Sequence, residues 1–167
     1  MEQGLPVVHV ALLNPQIPPN TGNVARLTAA MGVPLWIVGE AGFSMTEKAL
    51  RRAGLDYWPL VDVRKAATVW ELIEKTGTKC VVPITTRGRT ALSEAKFEAG
   101  DCLLFGSEST GLPPEVHRDF GEWSVKIDMW GEVRSLNLST AAGIVLFEAL
   151  RQVRCAGARV ERPRPGD

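Results

Sequence analysis

The sequence is poor in the residues that most often announce a chemistry. Of its 167 residues only three are cysteine (Cys80, Cys102, Cys155) and two are histidine (His9, His117). The cysteines stand far apart with no C-x-x-C pair, which argues against a disulfide framework or a zinc knuckle; each reads as a small packing residue. Neither histidine has a neighbour at metal-ligand spacing, so both read as structural and no metal is expected. Long apolar runs are missing too: none approaches the ~20 residues that span a bilayer. Residues 1–6 carry neither the basic start nor the small-residue cleavage site of a signal peptide, which predicts a cytoplasmic protein with no membrane association. Net charge is also absent, with 19 Lys and Arg against 19 Asp and Glu. That balance argues against a protein gripping nucleic acid by charge alone, although local basic clusters remain at Lys48, Arg51 and Arg52, at Arg87 and Arg89, and from Arg151 to Arg164.

Three catalytic signatures are likewise not found. No Gly-Lys-Ser/Thr closes a phosphate-binding loop, and no Gly-x-Ser-x-Gly marks a nucleophile elbow. No G-x-G-x-x-G follows the first apolar run, which disfavours a nucleotide-binding oxidoreductase.

What is present is an ordinary globular composition, 45% hydrophobic and 23% charged, in a length that suits one domain. We expect that domain over residues 1–156, with 157–167 as an Arg- and Pro-rich tail. Strand and helix signals alternate. Residues 7–13, 34–38, 80–85, 102–105 and 124–129 read as strands, with 60–63 as an edge strand. Asn20 or Thr21 is expected to cap a helix that Gly32 stops; Thr46 is expected to cap a short basic helix over 50–53. A helix over 66–75 should end at Gly77. Residues 136–153 carry apolar positions at helical spacing, Leu138, Ala142, Val145, Leu146, Ala149 and Val153. Such alternation predicts an α/β fold, a mostly parallel sheet flanked by helices, with ligands at the carboxyl ends of its strands.

Three segments after strands are candidates for that ligand site. The first, residues 14–26, passes from a proline loop through Asn20-Thr21-Gly22-Asn23 to Arg26. A helix start offers backbone N–H groups to anions, and arginine suits bidentate phosphate contact. The second is Phe105-Gly106-Ser107-Glu108-Ser109-Thr110-Gly111-Leu112-Pro113. Its glycines let backbone approach a ligand, and Glu108 offers a hydrogen-bond acceptor or an arginine partner. The third is Arg134-Ser135-Leu136-Asn137-Leu138-Ser139, where Ser135 and Asn137 suit either a helix cap or a ligand contact.

In order and spacing the three segments resemble the signature motifs of the SPOUT superfamily of RNA methyltransferases, over residues 7 to about 152. The Asn-Pro-Gln-Ile-Pro-Pro-Asn-Thr-Gly-Asn opening and Leu50-Arg51-Arg52-Ala53-Gly54-Leu55-Asp56-Tyr57 are most similar to the short tRNA 2′-O-methyltransferases of the wobble cytidine or uridine. The resemblance implies a C-terminal deep trefoil knot, a homodimer, tRNA as partner and S-adenosylmethionine as cofactor, released as S-adenosylhomocysteine. Carried over by position, the cofactor contacts would be Ile84, Thr85, Gly106, Ser107, Glu108, Gly111, Ile127, Met129, Ser135, Leu136 and Asn137. RNA contacts would fall to Asn23, Arg26, Arg51, Arg52, Arg87 and Arg134, with Arg26 catalytic and able to serve the pocket of the other protomer. Ser107 and Thr110 stand where that group usually has proline and arginine, and Asp128 replaces proline between Ile127 and Met129. Two alternatives share the fold: a 2′-O-methyltransferase of ribosomal RNA or of another tRNA position, and a non-catalytic RNA-binding homologue.

Overall fold

Near-continuous apolar runs become strands buried on both faces. In a computed structural model that describes residues 7–46, 48–49 and 58–154, β1 (Val8–Leu13), β2 (Leu35–Val38), β4 (Val81–Ile84) and β6 (Asp101–Phe105) are buried throughout. Such strands belong in a parallel sheet covered on both sides. With β3 (Val63–Ala66), β5 (Thr90–Ala91) and β7 (Val125–Lys126) they form one seven-stranded sheet, order β3-β2-β1-β6-β4-β7-β5, every pairing parallel.

The period of two divides the core. Val8, Val10, Leu12, Leu103 and Phe105 face α1 (Pro18–Met31) and α4 (Leu138–Arg154), packing with Val24, Ala25, Val145, Leu146 and Ala149. Ala11, Leu13, Trp36, Val38 and Leu104 face the other layer, α2 (Val69–Thr76) and α3 (Pro114–Phe120), through Val69, Leu72 and Val116. Each large aliphatic buried this way contributes roughly 1.5–3 kcal/mol.

Local signals set most boundaries. Gly77 ends α2 at φ 62, and Thr68 caps its start by accepting from Glu71 N at 3.1 Å, while the Glu71 carboxylate reaches back to accept from Ala67 N, the residue before the cap. Asn137 opens α4, its Oδ1 accepting from Ser139 N at 2.9 Å. Other expectations fail. The expected strand at 60–63 moves to Val63–Ala66, because Trp58–Leu60 closes into a 3-10 turn. Neither Asn20 nor Thr21 caps α1: the helix begins at Pro18, with Ile17 as the capping residue, and both lie buried inside its first turns. The expected strand over 124–129 keeps only Val125–Lys126, and the chain then leaves the sheet as a loop. Strand β5 and helix α3 carried too few residues to register. The expected helix over 50–53 and the tail from 157 lie outside the described residues.

One connection is unusual. Strand β5 follows β4 after the loop 85–89, yet β7 lies between them. Ile84 and Thr90 both pair with Val125, from its two sides. Thr85 N donates to Val125 O, and Arg89 N to Ser124 O, each at 3.0 Å. The loop thus passes around β7 so closely that a Cβ on Gly88 would fall on the backbone of Val125 and Lys126.

Candidate active site

The carboxyl ends of β4 and β6, with the segments that follow β1 and β7, enclose a cavity of about 1010 Å³. All eleven residues proposed from sequence as cofactor contacts border it. From the edge of β4 come Ile84 and Thr85; after β6 come Gly106, Ser107, Glu108 and Gly111. After β7 come Ile127 and Met129, and before α4 come Ser135, Leu136 and Asn137.

A chain of side-chain hydrogen bonds centred on Asn20 joins the three signature segments. Asn137 Nδ2 donates to Asn20 Oδ1 at 2.9 Å, and Asn20 Nδ2 donates to Glu108 Oε1 at 3.4 Å. Glu108 also accepts from Gln16 N (2.8 Å) and Ile17 N (3.1 Å). A carboxylate at the start of α1 is therefore the missing cap: it satisfies donors there and sits at the positive end of the helix dipole. Gln16 answers it, its Oε1 accepting from Ser109 Oγ at 2.6 Å. Asn20 is 7% exposed, so its amide is the buried link between two more accessible partners, half-buried Glu108 and exposed Asn137.

The glycine segment folds tightly on itself. Ser107 and Gly111 exchange both backbone hydrogen bonds. Gly111 adopts φ +68, and a Cβ on Gly106 would overlap the Gly111–Leu112 backbone, so side chains are excluded at both positions. Ser107 and Thr110, two of the three departures from the family pattern, bond each other through their hydroxyls at 2.7 Å. They replace a rigid proline and a cation by a neutral pair that holds the turn.

Of the residues proposed for RNA, Arg87 and Arg134 border the cavity. Asn23 and Arg26 do not: they are exposed on α1 beyond Ile17 and Asn20, which do border it. Within one chain, therefore, the expected catalytic arginine is not brought to the cavity. Arg51 and Arg52 lie outside the described residues. Sequence reading also passed over Asn20, a member of the first segment treated as a cap, and His117, treated as structural but bordering the cavity from α3.

Away from the cavity, three titratable side chains are packed into the fold. His9 Nδ1 accepts from the Trp36 indole N–H at 3.2 Å; burial, and then the nearby Arg64, lower its pKa. Burial pushes the Cys80 thiol up to about 11 and raises that of Cys102 further, while Cys155 lies outside the described residues. Among the described residues no three His, Cys, Asp or Glu side chains are grouped to hold a metal, and no helix is long and apolar enough to cross a membrane.

Comparison with known proteins agrees with this geometry. The chain is 39% identical to a tRNA (cytidine(34)-2′-O)-methyltransferase of Aeromonas hydrophila over 93% of its own length and 100% of that protein. A solved structure concerned with 2-OH methylation of C/U34 on tRNA superposes with a TM-score of 0.79 at 45% identity, covering 89% of this chain and 97% of that one. The AdoMet-bound rRNA methyltransferase of Sinorhizobium meliloti superposes with a TM-score of 0.73 at 28% identity, over 86% of this chain and 56% of that one. The SpoU rRNA Methylase family model matches residues 7–147. That match runs from β1 into α4 and takes in all three segments around the cavity: the chain belongs to the SpoU rRNA Methylase family.

Proposed function

We propose that the chain transfers a methyl group from S-adenosylmethionine to the ribose 2′-hydroxyl of the wobble nucleotide of tRNA, cytidine or uridine 34, the reaction for which its end-to-end relatives are named. The observation that carries this reading is the meeting of three distant segments, through Asn20, Glu108 and Asn137, around one cavity. The residues suit the cofactor. Ile84, Leu112, Ile127 and Met129 offer apolar surface to an adenine; backbone at Gly106, with the hydroxyls of Thr85 and Ser135, offers hydrogen bonds to ribose and amino-acid groups.

Bound there, adenosylmethionine supplies a methyl on a positively charged sulfur, electrophilic without a metal. What remains for the protein is to align a ribose oxygen with that methyl and stabilise the charge that develops as the hydroxyl proton departs. Arg26 is the residue proposed for the second task. A guanidinium keeps its proton in a protein and does not serve as a base, so its role is to clamp a neighbouring phosphate and stabilise the alkoxide. Because Arg26 is exposed and outside its own chain's cavity, it would act in the cavity of a second protomer. Exposed Ile17, Ile144 and Phe147 provide apolar surface for a homodimer of that kind. Asn23, Arg87 and Arg134, with Arg51 and Arg52, are the further RNA contacts of this reading. The passage of loop 85–89 around β7 supports a trefoil knot in a single domain over residues 1–156. A tRNA substrate supports a cytoplasmic location for the enzyme.

The test is transfer from labelled adenosylmethionine to tRNA lacking the modification, with nuclease mapping of the product. Label confined to ribose 34 is expected. Label elsewhere in tRNA, or only in ribosomal RNA, would reassign the substrate. Absence of transfer together with absence of calorimetric adenosylmethionine binding would make the chain a non-catalytic homologue. Sedimentation of a fully active monomer would remove the dimer and the role in trans of Arg26.

A further inference from the structure

Of the large apolar side chains in the described residues, Trp130 is the most exposed, at 95%. It makes no hydrogen bond, ring contact or cation contact with any described residue. An indole left in water contributes nothing to the fold, and its position is specific. It lies in the loop that leaves β7, between Met129 and Arg134, both of which border the cavity. The adjoining Gly131 has open space around it, so a flat ligand can approach the ring. Arg134 and Arg87, both bordering the cavity, supply positive charge.

We propose that Trp130 is a positioning residue for the RNA substrate: its indole stacks on an unpaired base next to the nucleotide whose ribose enters the cavity. This rests on the RNA-methyltransferase reading above. Sequence-specific and loop-directed RNA recognition relies on unstacked bases laid on aromatic side chains, with arginines on the flanking phosphates. A chain with 19 positive and 19 negative residues lacks the excess charge that would hold RNA by phosphate contacts alone, which makes stacking the more valuable contribution. A loop nucleotide offers a free base face and a duplex does not, so Trp130 would favour the single-stranded anticodon loop over helical RNA.

The test uses the full-length enzyme, an unmodified tRNA transcript, the isolated anticodon stem-loop and a blunt RNA duplex at one salt concentration. Trp130→Ala is expected to raise Kd and KM for the tRNA and the stem-loop roughly 5- to 100-fold, the range for losing one base–aromatic stack. It should leave kcat at saturating RNA and adenosylmethionine affinity within about twofold, and duplex binding unchanged. Trp130→Phe should restore most of the loss. The emission difference between wild type and Trp130→Phe should be quenched by the stem-loop but not by the duplex. Unchanged RNA affinity in Trp130→Ala, or a loss accompanied by dissociation of a dimer in sedimentation, would overturn the inference; the latter would give the indole to a protein interface. If wild-type enzyme methylates tRNA while Trp130→Ala matches it in KM, the inference fails and the functional reading stands. If wild type neither binds nor methylates tRNA, both fall.

Discussion

The two ends of the sheet are built from the same strands and are chemically unlike. At the carboxyl ends, three segments separated by up to 117 positions are joined by side-chain hydrogen bonds beside the 1010 Å³ cavity. At the amino ends a smaller hollow of about 480 Å³ is bordered by Cys80, Asp101, Arg89 and Trp123. Burial raises the pKa of Asp101 as well as that of the Cys80 thiol, and Asp101 accepts from Glu98 N at 2.8 Å. The difference follows from parallel strands. Chain leaving them at one end meets the starts of helices, where free N–H groups and positive dipoles gather, so polar ligands have donors waiting. Chain entering at the other end brings helix ends and short returns.

Substitutions can break this comparison. The largest effect is expected from Arg26→Lys, which should lower kcat by roughly 10²-fold or more, the scale of losing one donor to a developing oxyanion, with adenosylmethionine affinity retained in calorimetry. Next is Glu108→Ala. Losing a carboxylate that holds two backbone N–H groups should weaken adenosylmethionine binding by about tenfold or more, as hydrogen bonds to charged groups contribute ~1.5–3 kcal/mol; an unaltered Kd would show that the three segments do not need this clasp.

At the other end of the scale, Cys80→Ser should change kcat/KM by less than about twofold, since a thiol with its pKa near 11 is neither nucleophile nor acid at neutral pH. A larger loss would mean that the amino-end hollow takes part in function.

A pH titration sharpens the same contrast, because His9 bears on stability and not on turnover. The Trp36 indole can only donate, so His9 Nδ1 must stay unprotonated, and Arg64 lies over the Trp36 ring at 5.7 Å. With the folded pKa below the ordinary 6.5, the unfolded chain takes up the proton first as pH falls. Stability is therefore complete above pH 6.5 and declines below it, toward the folded pKa. Urea melts should show that decline, and His9→Asn, whose amide oxygen still accepts from Trp36, should flatten it.

Much of this was legible in the sequence, for reasons that differ by element. Strands β1, β2, β4 and β6 announced themselves because burial on both faces demands unbroken apolar runs, and α4 because its stripe of Ala142, Val145, Leu146 and Ala149 repeats at helical spacing. The start of α1 did not, because its cap is Glu108, about ninety positions downstream, and no local pattern reports a partner that distant. For the same reason Asn20 looked like a cap and proved to be the junction of the site. That His117 borders the cavity was not legible, because a short proline-led helix gives no periodicity by which to tell which face it turns inward. The position of Arg26 away from the cavity of its own chain could not be read from spacing, which does not report which way an exposed helical side chain turns.

The placement of β7 between β4 and β5 has a consequence for synthesis. While the chain is still emerging from the ribosome, the segment that becomes β5 has no neighbour to pair with. Its partner strand has not yet been made, and β4 presents an unfinished edge. The sheet can be completed only after Val125 and Lys126 have been added and drawn into the gap, a late, long-range step of the kind that slows folding and exposes intermediates to aggregation. A nascent chain halted before Ser124 should accordingly remain soluble only while chaperones cover that edge, so the last quarter of the sequence decides the fate of everything before it.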